Sequence, residues 1–404
     1  MKPLYFYMED ILYKYNPWWD GEFEFPGIPR FDYIDQLFKQ KNRKDIVLIT
    51  GLRRVGKTTL IRQLIHKLLE TTEPEKIFYV SLDNIALKER SIQEIVDIFR
   101  RINGLKHNEH AYLFLDEVHF KIDYELQLKN LYDLGHVKIY ASGSSSLDLI
   151  MKSPYLTGRQ RIIRMAPLNF SEYLNFTGQK ISKADHHLLP AAAEDYIKTG
   201  GMPEYVLTKD LNILQSIVYS ILFRDIAGRY EIRNRDSLFD ILSLLAQSAG
   251  TPMSLRKISR VLGLPLDTIN RTLELFKEAN LVHLVEKEGK ISERKASPRK
   301  IYLADTGLFS VLTENINLGA LAENLVFLVL NKMGIVRYYR SSGREIDFIR
   351  KKHAWEVKYK SIIDEKDLGN IKNVKGLRSR VIITKDAAGK KQNVDLKPLW
   401  KFLQ

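Results

Sequence analysis

Eight consecutive residues, Gly51-Leu52-Arg53-Arg54-Val55-Gly56-Lys57-Thr58, spell GxxxxGK[ST]. The flanks constrain the fold as much as the motif does. Asp45 to Thr50 reads as a short buried strand entering the loop. Thr59 to Leu69 carries apolar residues at helical spacing and leaves it. Strand, glycine loop and helix together turn backbone N–H groups and a helix N-terminus onto phosphate oxygens. Gly51 and Gly56 let the backbone approach an anion with no Cβ in the way. Lys57 would reach the β- and γ-phosphates, and the Thr58 hydroxyl would hold Mg²⁺. Gly51, Arg54, Val55, Gly56, Lys57, Thr58 and Thr59 are thus the candidate nucleotide-binding residues, with ATP and Mg²⁺ as the implied cofactors.

A chain of 404 residues exceeds one ordinary core, so several domains are expected. Hydrophobic residues at 45% and charged residues at 28% exclude a disordered chain. The apolar run Leu325–Leu330 is too short to cross a bilayer, which predicts no membrane partner. The first residues have no signal-peptide character, so a cytoplasmic location is expected. With no cysteine there are no disulfides and no thiolate metal sites. The net charge of +14 favours a polyanionic partner.

Composition shifts divide the chain. Residues 1–40 are aromatic and punctuated by Pro and Gly. They read as an extended leader that wraps the next domain, ends in a short helix near Tyr33–Lys39, and helps shape a base pocket. Residues 41–168 alternate strands with helices: Lys76–Leu82, Ala111–Asp116 and Val137–Ser142 follow the loop strand, and a further strand lies within Arg161–Met165. That pattern predicts a parallel α/β sheet. Residues 169–248 are helical, broken at Gly200-Gly201-Met202-Pro203. Residues 249–312 read as helix, turn, helix and hairpin, a winged helix-turn-helix. Ser254 and Asp267 stand where they would cap its helices, and a polar loop from Glu286 to Arg299 forms the wing. Residues 313–404 form a separate C-terminal α/β unit.

The strand Ala111–Asp116 ends in Asp116-Glu117, a Walker-B pattern. Asp116 would hold Mg²⁺ through water, and Glu117 would polarise the attacking water. The next strand ends in Ser142-Gly143-Ser144, and either Ser142 or Ser144 could orient the water or the γ-phosphate. Phosphoryl transfer also needs a cation on the transferring group. Arg159, Arg161 and Arg224 are candidates, and each reads equally well as a structural arginine.

These residues, with Leu156-Thr157-Gly158-Arg159, Pro167-Leu168-Asn169-Phe170-Ser171-Glu172 and Gly200-Gly201-Met202-Pro203-Glu204, resemble a known family. The chain looks like the archaeal AAA+-type P-loop ATPases that carry a winged helix and a C-terminal nuclease-like domain. The likeness runs nearly the full length, and the Arg53-Arg54 pair is its most distinctive mark. The family usually has Ser where Asn169 stands. The resemblance implies an AAA+ parallel sheet with an extra strand beside the P-loop strand, a helical lid, and a homo-oligomer such as a ring. It favours Arg159 as the arginine that reaches a neighbouring subunit's γ-phosphate.

Near the C-terminus, Asp347, Glu356 and Lys358 sit on a predicted hairpin, with Glu323 on the preceding helix. This is the pattern of a PD-(D/E)xK nuclease fold. Asp347, Glu356 and Glu323 would bind Mg²⁺, and Lys358 would help activate water. Glu356 and Lys358 share a strand face because side chains alternate. The alternative is a degenerate module kept for binding or assembly. Toward DNA, Thr268, Asn270 and Arg271 could face a groove. The wing residues Lys287, Lys290, Arg294, Lys295 and Arg299 could lie on phosphates. The alternative there is a subunit contact.

Two readings of the whole follow. One is a Mg-dependent ATPase acting on DNA, as a motor or remodeller in repair, replication or mobile-element defence, with nuclease activity as a possible addition. The other is an ATP-operated switch or scaffold whose nuclease-like domain is inactive.

Overall fold

The computed structural model describes residues 3–21, 23–143, 154–182, 184–230, 235–315, 317–341 and 343–404. Ser144 lies outside them. The chain divides into two compact units, at Ala166/Pro167.

The first unit is built on a five-stranded parallel sheet: β1 (Ile46–Gly51), β2 (Ile77–Ser81), β3 (Ala111–Asp116), β4 (Val137–Gly143) and β5 (Gln160–Met165). Their order is β2-β3-β4-β1-β5. The strand β4 therefore separates the P-loop strand β1 from β3, which is the extra strand the resemblance implied. Every residue of β1 is buried, as expected of a parallel strand covered on both faces. Helices Lys57–Leu69, Ile92–Ile102 and Tyr124–Leu134 cross between the strands. The register sets Thr50 beside Gly143 and Leu115 beside Ala141, so these strands end together at one edge. Open parallel sheets bind ligands at that carboxyl edge.

The leader departs from the extended reading. Pro3–Tyr15 is a helix, with Met8 and Leu12 buried in the core. A second helix spans Phe31–Phe38. Between them the chain covers the outer edge of β2. The Asn16 amide donates to Tyr79 O at 2.9 Å, and its carbonyl accepts from Tyr79 N at 2.6 Å. The indoles of Trp18 and Trp19 both donate to Ile77 O at 3.0 Å. Side chains thus satisfy the edge that a bare strand would leave open.

The second unit begins with helices. Phe170–Phe176 starts with a capping box: Asn169 Oδ1 accepts from Glu172 N, and Glu172 Oε2 accepts from Asn169 N, both at 2.9 Å. Asn caps as well as Ser does, so this departure from the family pattern leaves the helix start intact. The Gly200-Gly201 break is a crossing point. A Cβ on Gly200 would lie 2.1 Å from Asp305 Oδ1, and one on Gly201 would lie 2.3 Å from Leu168 O. Buried Asp305 accepts from Gly201 N at 2.6 Å and from Gly307 N at 2.9 Å.

Next come β6 (Pro252–Met253), the helices Leu255–Leu262 and Leu266–Glu278, β7 (Val282–Val285) and β8 (Arg299–Leu303). The strands form a small antiparallel sheet in the order β6-β8-β7. Three local expectations need correction. Ser254 precedes its helix but makes no capping hydrogen bond. Asp267 lies inside the first turn, because Pro265 is the N-cap and the helix starts at Leu266. The stretch read as a polar loop contains the helix Ile291–Ala296.

The C-terminal part is a mixed six-stranded sheet: β9 (Arg337–Ser341), β10 (Arg344–Arg350), β11 (His353–Lys358), β12 (Ser379–Thr384), β13 (Gly389–Lys391) and β14 (Val394–Pro398). Its order is β13-β14-β12-β11-β10-β9. The helix Leu318–Lys332 packs against β11 and also against β8. Among the described residues no helix is long and apolar enough to cross a membrane.

Candidate nucleotide-binding site

The P-loop turns tightly between β1 and the helix that starts at Lys57. Gly51 has φ +151, and a Cβ there would sit 2.3 Å from Met165 O. Gly56 has φ +98 and caps the helix. Between them Arg54 holds a left-handed φ of 59°. Lys57 is buried, and its ammonium donates to Gly51 O and Leu52 O at 3.1 Å each. The leader contributes to this loop. The guanidinium of buried Arg30 donates to Val55 O at 3.4 Å and to Ala166 O at 3.0 Å. Gln63 of the P-loop helix donates to Pro26 O at 2.8 Å and Ile28 O at 3.0 Å. Neither Arg30 nor Gln63 stands out in the sequence, because each acts through carbonyls distant along the chain.

Asp116 is the centre of the polar network. Its Oδ2 accepts from the Thr58 hydroxyl at 2.6 Å and from the Tyr79 phenol at 3.0 Å. Its Oδ1 accepts from Glu117 N at 3.1 Å and from the Ser142 hydroxyl. Ser142 is fully buried and also accepts from Glu117 N at 3.3 Å. Its hydroxyl therefore aims Asp116. Glu117 takes a left-handed φ of 54°. Burial pushes its carboxyl above the usual range, and the Lys57 charge pulls it partly back. A raised pKa makes it a better proton acceptor near neutral pH. Its Oε2 lies 3.3 Å from His119 Nδ1.

The donor set fits a hard divalent cation: a hydroxyl and a carboxylate meet beside a lysine, and all candidate ligands are oxygens. Thr58 and Asp116 would hold Mg²⁺, which would shield phosphate charge.

The arginines are placed elsewhere. β5 pairs with β1 from Ile46↔Gln160 to Gly51↔Met165. Arg159 precedes the end of β5 remote from the P-loop, on the order of 16 Å along the strand at about 3.3 Å per residue. It lies 3.6 Å from Asp133 and over the Tyr132 ring. Arg161 lies 3.9 Å from Asp45. Arg224 belongs to the second unit, in the π-helical stretch Ser220–Ile226.

In the second unit, Thr268, Asn270 and Arg271 are all exposed, while Ile269, Thr272 and Leu273 of the same helix are buried. The preceding helix adds exposed Arg256, Lys257 and Arg260 and carries no acid. The wing residues are less free. Arg294 and Lys295 lie 3.8 and 3.6 Å from Glu286, and Arg299 lies 3.6 Å from Glu274. Lys287 is half-buried where the chain bridges to Tyr338, and Lys290 is exposed.

The C-terminal acids lie on neighbouring elements. Asp347 on β10 accepts from Val357 N at 2.9 Å, and Glu356 lies 2.8 Å from Lys358 on β11. Glu323 on the Leu318–Lys332 helix accepts from the Tyr302 hydroxyl at 2.7 Å. Lys300, from β8, stands among them. Burial opposes its charge, yet Asp347 and Glu323 hold its ammonium above the usual lysine range.

The loop, the Asp116-Glu117 pair and the strand order define a P-loop NTPase domain. Residues 43–174 match the family model described as an AAA domain, and residues 191–319 match a domain of unknown function, DUF8612. Residues 43–174 are thus similar to AAA-type P-loop domains. The chain is similar to the uncharacterized protein MJ1637 of Methanocaldococcus jannaschii, at 25% identity over 79% of this chain and 76% of that one. It is also similar to an uncharacterized protein of Haemophilus influenzae, at 26% identity over 88% and 93%. Among solved structures, the Walker-type ATPase PABY2304 of Pyrococcus abyssi aligns over 71% of this chain and 96% of its own, at 16% identity and a TM-score of 0.43. A likeness at that level carries no functional weight.

Proposed function

We propose that this chain is a Mg²⁺-dependent ATPase that works on DNA as an assembly of several copies. The observation that carries the ATPase reading is the convergence of Thr58, Tyr79 and Ser142 on Asp116, with Glu117 next to it and Lys57 in the loop. Lys57 and the helix N-terminus bind the phosphates. Asp116 and Thr58 hold the ion. Glu117, whose carboxyl burial pushes up, takes a proton from the attacking water. Arg159, too far from its own P-loop, supplies the charge that stabilises transfer in a neighbouring copy.

The DNA reading rests on the net charge of +14 and on the helix pair 255–278, read as a winged helix-turn-helix. Its exposed face offers Arg256, Lys257, Arg260 and Arg271 with Thr268 and Asn270. Most wing cations lie beside carboxylates, so this helix face is the stronger candidate for phosphate contact.

The test is ATP turnover measured with no DNA and with duplex, single-stranded and branched DNA. Turnover should rise with at least one form and vanish in Lys57→Ala. Arg256→Glu/Arg271→Glu should keep basal turnover and lose the stimulation. Turnover indifferent to every DNA form would favour the ATP-operated switch instead.

A further inference from the structure

Lys300 is an unusual strand residue. It lies in β8 with Ile301, Tyr302 and Leu303, and all four are essentially inaccessible. A lysine is almost never fully buried unless its charge is met. Here it is met three times. The ammonium lies 2.8 Å from Glu345 Oε1, 3.2 Å from Asp347 Oδ1 and 3.3 Å from Glu323 Oε1. Its three donors are thus directed at three carboxylates from β10 and the Leu318–Lys332 helix.

Two of these acids, with Glu356, are the residues that sequence pattern assigns to a divalent ion. The arrangement does not fit one. A Mg²⁺ ion needs about six oxygens at roughly 2.0–2.1 Å, and an ammonium already lies within hydrogen-bond reach of two of the carboxylates. Among the described residues no three His, Asp or Glu side chains stand together as a metal cage. Glu356 Oε2 is buried without a hydrogen-bond partner among the described residues. Lys358 lies 2.8 Å from the other oxygen, Glu356 Oε1, so one carboxyl oxygen of the group is left without a donor.

We infer that Lys300 is a built-in cation that excludes a divalent metal from the Glu323–Asp347–Glu356 cluster, so that the small β6-β8-β7 sheet locks the C-terminal module in a metal-free form. This rests on reading those acids as a metal-type cluster. It is independent of what the ATPase acts on.

The relevant probe is Mn²⁺ added to the full chain without nucleotide. Mn²⁺ bound per chain is counted by electron paramagnetic resonance, and unfolding is followed by calorimetry. Lys300→Met should bind one more Mn²⁺ than the natural chain. It should melt lower in metal-free buffer and regain several degrees with Mn²⁺, whereas the natural chain should not respond at this site. Lys300→Met/Asp347→Asn should lose the extra ion, which separates this site from Thr58 and Asp116. If Lys300→Met does not fold, Lys300→Met/Glu345→Gln removes one uncompensated carboxylate and keeps the three candidate ligands. The same gain of one ion is expected there. Absence of any gain in the folded variant would overturn the inference. So would a natural chain that already binds a Mn²⁺ ion lost in Asp347→Asn.

Discussion

The Tyr79 hydroxyl donates to Asp116 Oδ2 at 3.0 Å, while the Tyr79 backbone is held on both sides by the Asn16 side chain. The leader, the sheet edge and the Asp116 carboxylate are therefore mechanically continuous. Burial and the Asp116 charge both push the Tyr79 phenol up, so it stays a neutral donor at any working pH.

Tyr79→Phe removes that donor and little volume. A hydrogen bond of this kind is worth about 1 kcal/mol, more when it meets a charge. We expect a folded protein whose Mg²⁺ requirement for ATP turnover rises roughly two- to tenfold. Titrating Mg²⁺ at saturating ATP measures this. An unchanged Mg²⁺ dependence would show that Thr58 and Ser142 position Asp116 without Tyr79.

Arg159 provides a test of shared sites. Arg159→Ala should bind ATP normally and turn it over at least tenfold more slowly, since arginines in this role contribute roughly 10³ or more. Mixing it with inactive Lys57→Ala should restore turnover, because each copy supplies what its neighbour lacks. Activity that stays at the sum of the two separate proteins at every mixing ratio would rule the trans role out.

Asp305 sets a pH dependence of stability. It is fully buried, and burial pushes its carboxyl up to about 6 from 3.8, against the two glycine N–H groups that favour its charge. The folded state thus holds a proton that the unfolded chain has released between those values. Its contribution is complete below 3.8 and is lost as pH rises through about 6. At about 1.4 kcal/mol per pH unit, the difference is roughly 3 kcal/mol. Denaturant unfolding at pH 4.5 and 7.0 spans about 2 kcal/mol of this fall, which should appear in the natural chain and not in Asp305→Asn. Equal slopes in the two proteins would assign the pH dependence to other groups.

Elements whose signal is local were legible from residues alone. The P-loop, the Asp116-Glu117 step and strands β1 to β4 could be read because glycines, carboxylates and apolar runs are contiguous. The helix Pro3–Tyr15 was hidden by the aromatic, proline-punctuated segment after it, although Met8, Leu12 and Tyr15 already recur at helical spacing. Asp267 has the residue type of a cap, but the N-cap is Pro265, two residues earlier, with φ −56°. Ser142 is legible in the sequence as a polar residue at the strand end. Only its contact with Asp116 assigns the direction of its hydroxyl.

Sequence alone determined that a phosphate-binding loop would sit between a buried strand and a helix, because that outcome depends on backbone conformation and side-chain size within a dozen residues. It also determined which acids and arginines were available. Tertiary structure decided what each of them meets. It placed Tyr79 on Asp116, Arg30 on the loop carbonyls, and Arg159 at the wrong end of its own sheet. Above all it buried Lys300 among Glu323, Glu345 and Asp347. The electrostatic environment of a charged group depends on neighbours that are tens of residues away in the chain, so no local pattern specifies it.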